Sequence, residues 1–363
     1  MKLKIKKGDL LIGIQTVLGV ISSRSTLPIL SNILLEVNQN QLRLTSTDLD
    51  IGINCAVAVD AIETGSITLP AKRFSDIIKE LPDEEINITT KKNNLAIIET
   101  GNCQFKIMGL AAEEFPKLPE FKDKEIIAIE QGVLKEMISA TSFAVSLDET
   151  RYILNGILFK IQNENLTLVA TDGRRLALTE RKLSTSINKT IEIIVPIKTI
   201  HELSRNLKEE GLLSMILGTN QVLFELSNVM IISRLIEGEF PDYRQVIPAV
   251  SSHKIKIDRQ MFLLAIRRAA LLTTPDYQAV KLEVFKNKLI ISKTTPDVGE
   301  SREEINAEYS GKELAIGFNP SYLIDVLKIL ADQTIEIEVT DTEKPGVVRS
   351  NGYVYIVLPM RLS

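Results

Sequence analysis

Two hydrophobic periods take turns along this chain, and their succession recurs. Apolar residues every three or four positions, the spacing of a helix with one buried face, mark GDLLIGIQTVLGVI (8–21), GVLKEMISATSFAV (132–145) and QMFLLAIRRAALL (260–272). Each follows a short strand pattern and precedes a strand pair: NILLEVNQNQLRLTSTDLD (32–50), NGILFKIQNENLTLVATDG (155–173) and AVKLEVFKNKLIISKTTPD (279–297). The breaks Asn38-Gln39-Asn40, Asn163-Glu164-Asn165 and Lys286-Asn287-Lys288 fall at matching places and suit hairpins. A second strand-to-helix step then recurs in ITLPAKRFSDIIKEL (67–81), IIVPIKTIHELSRNL (193–207) and LAIGFNPSYLIDVLKIL (314–330). The first two place Pro near the helix start, where a missing N–H costs nothing. In the third, Asn319-Pro320 supplies cap and first turn. More strand pattern closes each unit.

Asp48 and Asp172 lie 124 positions apart, and Phe115-Pro116 and Phe240-Pro241 lie 125 apart, so three such units fill the 363 residues. The expected domains are residues 1–125, 126–250 and 251–363, each with two helices and about six to eight strands. Helices segregated from antiparallel strands give an α+β class, with helices on one face of each sheet. LAAEEFPKLPEFKDKE and EFPDYRQVIPAVSSHK, rich in Pro and charge, read as linkers. A tandem array builds a surface rather than a reaction centre. Its terminal strand edges need covering or pairing, which a closed ring of symmetric subunits would achieve.

Apolar residues make up 44% and charged residues 25%, enough for ample core, and no apolar run reaches membrane-spanning length. The start MKLKIKKGDL lacks the apolar stretch of a cleavable signal. Cys55 and Cys103 are the only cysteines, which fits a reducing cytoplasm; with His201 and His253 far from them and from each other, no metal site is expected. A net charge of -4 argues against a broadly basic DNA binder but leaves room for a basic surface on one face.

An enzyme would want a motif that is absent: there is no Gly-x-Ser-x-Gly, no Gly-rich phosphate loop and no His-x-x-x-His pair. Asp48, Asp172 and Asp297 recur because the unit recurs, so they need not converge on one site. A static sequence-specific DNA binder would want a concentrated basic element, and the lysines here are scattered. One stretch stands out, LTLVATDGRRLAL (166–178): two strand patterns around Thr-Asp-Gly-Arg-Arg. From its residues alone it is a phosphate cradle, a catalytic corner, a docking lip or a hairpin.

TLPILSNILLEV, RYILNGILF, VATDGRRLAL, GEFPDYRQVIP and the terminal VLPMRL, in this order and over essentially the whole chain, resemble the beta subunit of bacterial DNA polymerase III, the replicative sliding clamp. The resemblance implies a head-to-tail homodimer of three-domain subunits closing as a six-domain ring, with twelve helices around the hole and sheets outside. Duplex DNA passes through without sequence reading, and the ring tethers the polymerase in the bacterial cytoplasm. No cofactor is implied; ATP would serve the loader. The implied partners are the polymerase alpha subunit, the clamp loader delta subunit, and other polymerases and repair proteins that dock short linear motifs.

Carried over by motif, the docking groove would use Leu154, Thr171, Gly173, Arg174, Arg175, Leu176, Pro241, Val246, Ile356, Leu358, Pro359, Met360 and Arg361, with Asn319 and Tyr322. Contacts to DNA would come from Arg24, Lys72, Arg73, Lys79, Lys198 and Arg205, and from Arg151 and Tyr152 in a loop that also carries Asp148 and Glu149. The dimer seam would pair a strand bearing Phe105 and Ile107 with Leu271 and Leu272 of the partner, and Glu300, Glu303 and Glu304 with Lys72 or Arg73. Three departures stand out: Gln245 where the family often has arginine, Arg174 where histidine is common, and Ser363 beyond the usual Arg-Leu ending.

Overall fold

Six helices form where the apolar spacing places them: α1 (Lys7–Leu18), α2 (Ala71–Glu80), α3 (Gln131–Thr141), α4 (Ile197–Asn206), α5 (Arg259–Ala270) and α6 (Pro320–Ile329). The structure is a computed structural model that describes residues 1–21, 27–121, 125–251 and 253–362. Each helix buries one stripe; α1 turns Leu10, Gly13, Ile14 and Val17 inward. Gly13 is small for a reason: a Cβ there would lie 2.9 Å from Leu44 Cδ1 and 3.2 Å from Val57 Cγ1, on the two strands beneath. Asn319 caps α6 as expected, its Oδ1 accepting the Ser321 N–H at 2.9 Å.

One device recurs in the first and third repeats, and the second has a neutral counterpart of it. The first residue of the first helix reaches the end of the second. Lys7 Nζ donates to the Lys79 carbonyl at 2.9 Å and to that of Leu81. Gln131 accepts the Lys208 N–H at 3.0 Å and donates to the Leu212 carbonyl at 3.1 Å. Arg259 donates to the Leu327 carbonyl at 2.9 Å. The last carbonyls of a helix have no partner within it, and a cation suits the negative end of its dipole.

By compactness the chain divides into two units, Met1–Lys135 with Lys198–Leu235, and Glu136–Ile197 with Ile236–Ser363. All named strand pairs are antiparallel. In the first unit one sheet runs Asp60–Glu63, Lys2–Lys6, Glu85–Thr90, Leu95–Thr100, Cys103–Met108. The other has eight strands: Ile126–Glu130, Leu212–Leu217, Gln221–Leu226, Val229–Arg234, Ile51–Ala58, Gln41–Thr47, Asn32–Asn38, Gly65–Pro70. In the second unit a six-stranded sheet runs Gly156–Thr171, Arg175–Pro196, Tyr353–Val357, Gly346–Ser350, Thr334–Glu338, Lys254–Asp258. A four-stranded sheet runs Gly299–Asn306, Lys288–Thr295, Val280–Phe285, Leu314–Phe318.

The expected boundary at 125/126 therefore falls inside the first unit. Its eight-stranded sheet joins the first repeat to the second through Ile53↔Ile231, and the six-stranded sheet joins the second to the third through Leu176↔Ile356. The last strand of one repeat covers an edge that the previous repeat would leave open. Cys103–Met108 and Gly299–Asn306 are among the strands that end their sheets with no neighbour on the outer side among the described residues.

The first hairpin turns as expected, with Gln39 and Asn40 both at positive φ (45° and 62°) between the paired Asn38 and Gln41. In the second repeat Asn163 bends at φ 56°, and the two halves of Gly156–Thr171 pair with opposite ends of Arg175–Pro196. The linkers are packed against sheets. Leu118 and Phe121 lie on Ile216, Leu223 and Ile232, while Phe240, Tyr243 and Ile247 lie on a cluster of Leu158, Val169, Leu176, Ile194, Val347 and Ile356.

Candidate docking groove

The Thr-Asp-Gly-Arg-Arg turn closes on its own side chains. Thr171 Oγ1 donates to the Arg175 carbonyl at 2.6 Å and accepts the Gly173 N–H at 3.1 Å. Asp172 Oδ1 accepts the N–H groups of Arg174 and Arg175, each at 2.9 Å. Gly173 takes φ 82°, a conformation that glycine adopts without steric cost.

Beside this turn opens a cavity of about 360 Å³. Ten of the residues named from the sequence line it: Leu154, Thr171, Gly173, Arg174, Arg175, Leu176, Pro241, Val246, Ile356 and Leu358. Asp242, Tyr243 and Pro345 complete the wall. The first two lie in the quoted GEFPDYRQVIP; Pro345 belongs to the last strand connection, where no local pattern points to a site. The floor is apolar because Leu176 and Ile356 face each other across adjacent strands. Such a wall with a few polar groups suits an apolar ligand held in one orientation.

The other five predicted groove residues lie around it. Asn319 spends its side chain on capping α6. Met360 bridges to Gly317, its N–H donating at 2.8 Å, and Pro359 and Arg361 flank it, Arg361 exposed. Tyr322 stacks on Arg175, whose guanidinium carbon lies 4.4 Å from the ring centre. Arg175 is the support of the groove rather than a free donor. It reaches Asp172 at 3.1 Å, Asp325 at 2.7 Å and the Phe143 carbonyl at 2.5 Å. Burial works against its charge, but the bond to Asp325, with Tyr355 and Asp172, outweighs that and holds the proton more firmly than usual. Tyr355 donates to the Tyr322 carbonyl at 2.8 Å, and burial pushes its phenol above the ordinary range.

The first repeat builds the same turn. Thr47 Oγ1 donates to the Ile51 carbonyl at 2.8 Å, Asp48 Oδ1 accepts the Asp50 and Ile51 N–H groups at 3.1 and 2.8 Å, and Leu49 takes φ 80°. The next contact is also shared: Leu358 N–H donates to Arg174 O, and Arg234 N–H to Asp50 O, both at 2.9 Å. The side chains differ. Leu49 replaces Gly173, Gly52 replaces Leu176, and Arg234, 3.8 Å from Asp50, replaces Leu358. Leu118 leans over Gly52, where a Cβ would be 2.4 Å from Leu118 Cδ2. The repeat therefore makes the turn twice, and only the second is lined by the apolar cavity residues.

The cations assigned to DNA are differently placed. Lys72, Arg73 and Lys79 are exposed on α2. Lys198 pairs with Asp48, and Arg205 meets Glu202 at 3.1 Å. Arg151 donates to the Asp172 carbonyl at 3.2 Å and lies 3.7 Å from Asp148, whose carboxyl its bonds to Thr150 hold below the usual range; Tyr152 is exposed. Arg24 lies outside the described residues. Of the seam residues, Phe105 is 39% exposed beside Lys72, Arg73, Asp76 and Ile77 in a recess of about 700 Å³, and Leu271 is 81% exposed. Ile107 is a correction: it is 4% exposed and belongs to its own core, because the Thr68↔Leu110 bridge folds the chain over that end of the strand. Glu303 and Glu304 already pair within the chain, with Arg268 at 2.8 Å and Lys288 at 3.2 Å, leaving Glu300 exposed. Among the described residues no group of acids, histidines and cysteines could hold a metal, and no helix is long and apolar enough to cross a membrane.

A thrice-repeated helix-and-sheet scaffold, with an apolar cavity beside the second repeat's turn, is the architecture of a DNA clamp. The chain belongs to the DNA polymerase III beta subunit family: models of its N-terminal, central and C-terminal domains match residues 1–119, 128–242 and 244–361. The beta sliding clamp of Bacillus subtilis (strain 168) is 36% identical over 376 aligned positions, covering 99% of this chain and 100% of that one. The crystal structure of a Bacillus subtilis DNA polymerase sliding clamp matches with a TM-score of 0.96 at 35% identity, over all of both chains. A Pseudomonas aeruginosa sliding clamp bound to griselimycin matches at 0.95 and 35%, again over all of both.

Proposed function

We propose that this chain is a processivity clamp whose groove beside Gly173 captures short apolar motifs of replication and repair proteins. The observation that carries the reading is the contrast between two copies of one turn. The copy at Asp48 is overlain by Leu118, while the copy at Asp172 opens on a cavity of about 360 Å³. Burying a Leu and a Phe from a ligand gains roughly 1.5–3 kcal/mol each before ordering costs. Binding is weak and exchangeable, as partners that take turns require. The polymerase alpha subunit and the loader delta subunit are the first partners to test.

Two copies close head to tail in this reading, each made of domains 1–125, 126–250 and 251–363. The open edge Cys103–Met108 of one copy meets Gly299–Asn306 of the next, with Phe105 against Leu271 and Leu272. The helices face duplex DNA. Pairing Lys198 with Asp48 and Arg205 with Glu202 leaves a moderate positive charge, led by Lys72, Arg73 and Lys79. Each fixed phosphate contact would add salt-sensitive static affinity, so a tempered charge suits sliding. The ring works in the bacterial cytoplasm and needs no cofactor of its own.

The test is fluorescence anisotropy of a labelled Gln-Leu-Ser-Leu-Phe peptide against the native chain and a form ending before Pro359. Saturable binding that is lost in the folded, shortened form supports the groove. No binding to the native chain refutes it. Retention on circular DNA after loading, with escape from linear DNA, tests the ring separately.

A further inference from the structure

We infer that Arg174 selects partners carrying a carboxylate beside their apolar anchor residues; the inference rests on the groove reading above. Arg174 lines the cavity, yet it is the arginine there whose head group has no partner among the described residues. Its main chain is fixed at both ends, the N–H by Asp172 Oδ1 and the carbonyl by the Leu358 N–H, both at 2.9 Å. The stem therefore leaves the lip of the groove from a set point.

The acids of the turn and of the two loops beside it, Asp172, Asp242 and Asp148, already hold partners. Asp172 gives Oδ1 to the turn and Oδ2 to Arg175. Asp242 accepts the Arg244 N–H on Oδ1 at 3.3 Å and Gln245 Nε2 on Oδ2 at 3.0 Å. Asp148 holds the Thr150 N–H and hydroxyl at 3.0 and 2.7 Å. Arg175 next door is the opposite case, since its three nitrogens all donate within the chain and two rings cover it. An arginine cannot shed its charge, and its planar fork matches a carboxylate. Gln245 adds no second cation, because its side chain is neutral, and its amide is taken by Asp242. Of the two arginines that line the cavity, Arg174 thus presents its guanidinium uncommitted next to an apolar floor, a pattern that reads a carboxylate adjoining apolar side chains.

That carboxylate is an Asp or Glu side chain; a gain from the free peptide end alone, which amidation abolishes, overturns the inference. The probes are Gln-Leu-Ser-Leu-Phe peptides with amidated ends, a series placing Asp or Lys at each non-apolar and flanking position, and the neutral peptide with a free C-terminus. The readout is the affinity ratio of charged to neutral peptide within one protein variant, so that loss of the arginine stem cancels. In the native chain Asp at one or more positions tightens binding about three- to fivefold at low salt, the scale of a partly exposed ion pair, and Lys weakens it. The ratio returns to about one in Arg174→Ala and inverts in Arg174→Glu. Equal affinities across the native series, or a preference that persists in Arg174→Ala, overturn the inference while leaving the groove standing. Failure of the neutral peptide to bind the native chain removes both.

Discussion

Gly173 and Leu49 occupy the same place in two copies of one turn, at φ 82° and 80°. Only the glycine leaves room at the groove. Gly173→Leu is expected to lower affinity for a Leu-Phe peptide by more than about tenfold, the loss of one buried apolar side chain. Strain in this backbone region costs the fold about 1–2 kcal/mol. Leu49→Gly, which relieves the same strain while adding chain entropy, leaves peptide affinity as it was. Anisotropy and thermal melts of the pair decide the point; equal peptide loss in both variants would deny the groove at Gly173.

Arg175 ties Asp172, Asp325 and Phe143 together under the groove, and its side chain is only 11% exposed. Arg175→Met leaves two carboxylates facing an apolar wall without their cation. A loss of about 3 kcal/mol in urea unfolding is expected, the scale of a broken buried ion pair. Arg175→Lys recovers less than half, because one ammonium cannot serve three acceptors in a plane. A lysine variant as stable as the native chain would show that charge alone, not the fork, holds the site.

Tyr355 and Tyr353 are both buried, and burial raises both phenols above the ordinary tyrosine value. An acid whose folded pKa is raised supports the fold below the unfolded value and loses that support as pH climbs through the folded one. Stability should therefore be flat up to about pH 10, the ordinary tyrosine value, and fall above it. Absorbance at 295 nm should show these two tyrosines ionising only together with unfolding. Reversible ionisation of all seven before any loss of ellipticity would contradict the buried positions.

Leu271 and Leu272 follow α5, with Leu271 extended into solvent beside the edge strand's sheet. Leu271→Ala with Leu272→Ala is expected to yield a mass of 40.5 kDa by light scattering where the native chain gives twice that. An unchanged dimer mass would move the seam elsewhere. Ile107→Ala should act differently, costing about 1–3 kcal/mol of fold stability as a core truncation before it affects assembly.

Local pattern carried a good deal of this. The six helices, the Asn319 cap and the 124-residue period all follow from neighbouring residues, and so does the hairpin at Gln39-Asn40. The groove was reached through motifs, and ten of its fifteen named residues line the cavity. What stayed hidden depends on residues far apart. Ile53 pairs with Ile231 across 178 positions, and no period in either strand announces the other. Phe105 and Ile107 share one strand face and look alike in sequence; the bridge at Leu110 buries one and leaves the other open. Lys198 reads as a pore cation until Asp48, 150 positions earlier, is found against it. Pro345 and the Phe143 carbonyl enter the site through the fold alone.

The sheet that runs from Ile126–Glu130 to Gly65–Pro70 ignores the seam between repeats. A nick in the peptide backbone near residue 125 is therefore not a division of the molecule. The two pieces should stay clasped through the ladder of Val229–Arg234 on Ile51–Ala58 and migrate apart only in denaturant. Either piece made alone would display a naked ladder edge and seek another strand, its own kind included. The array is sequential as a text and interlocked as an object.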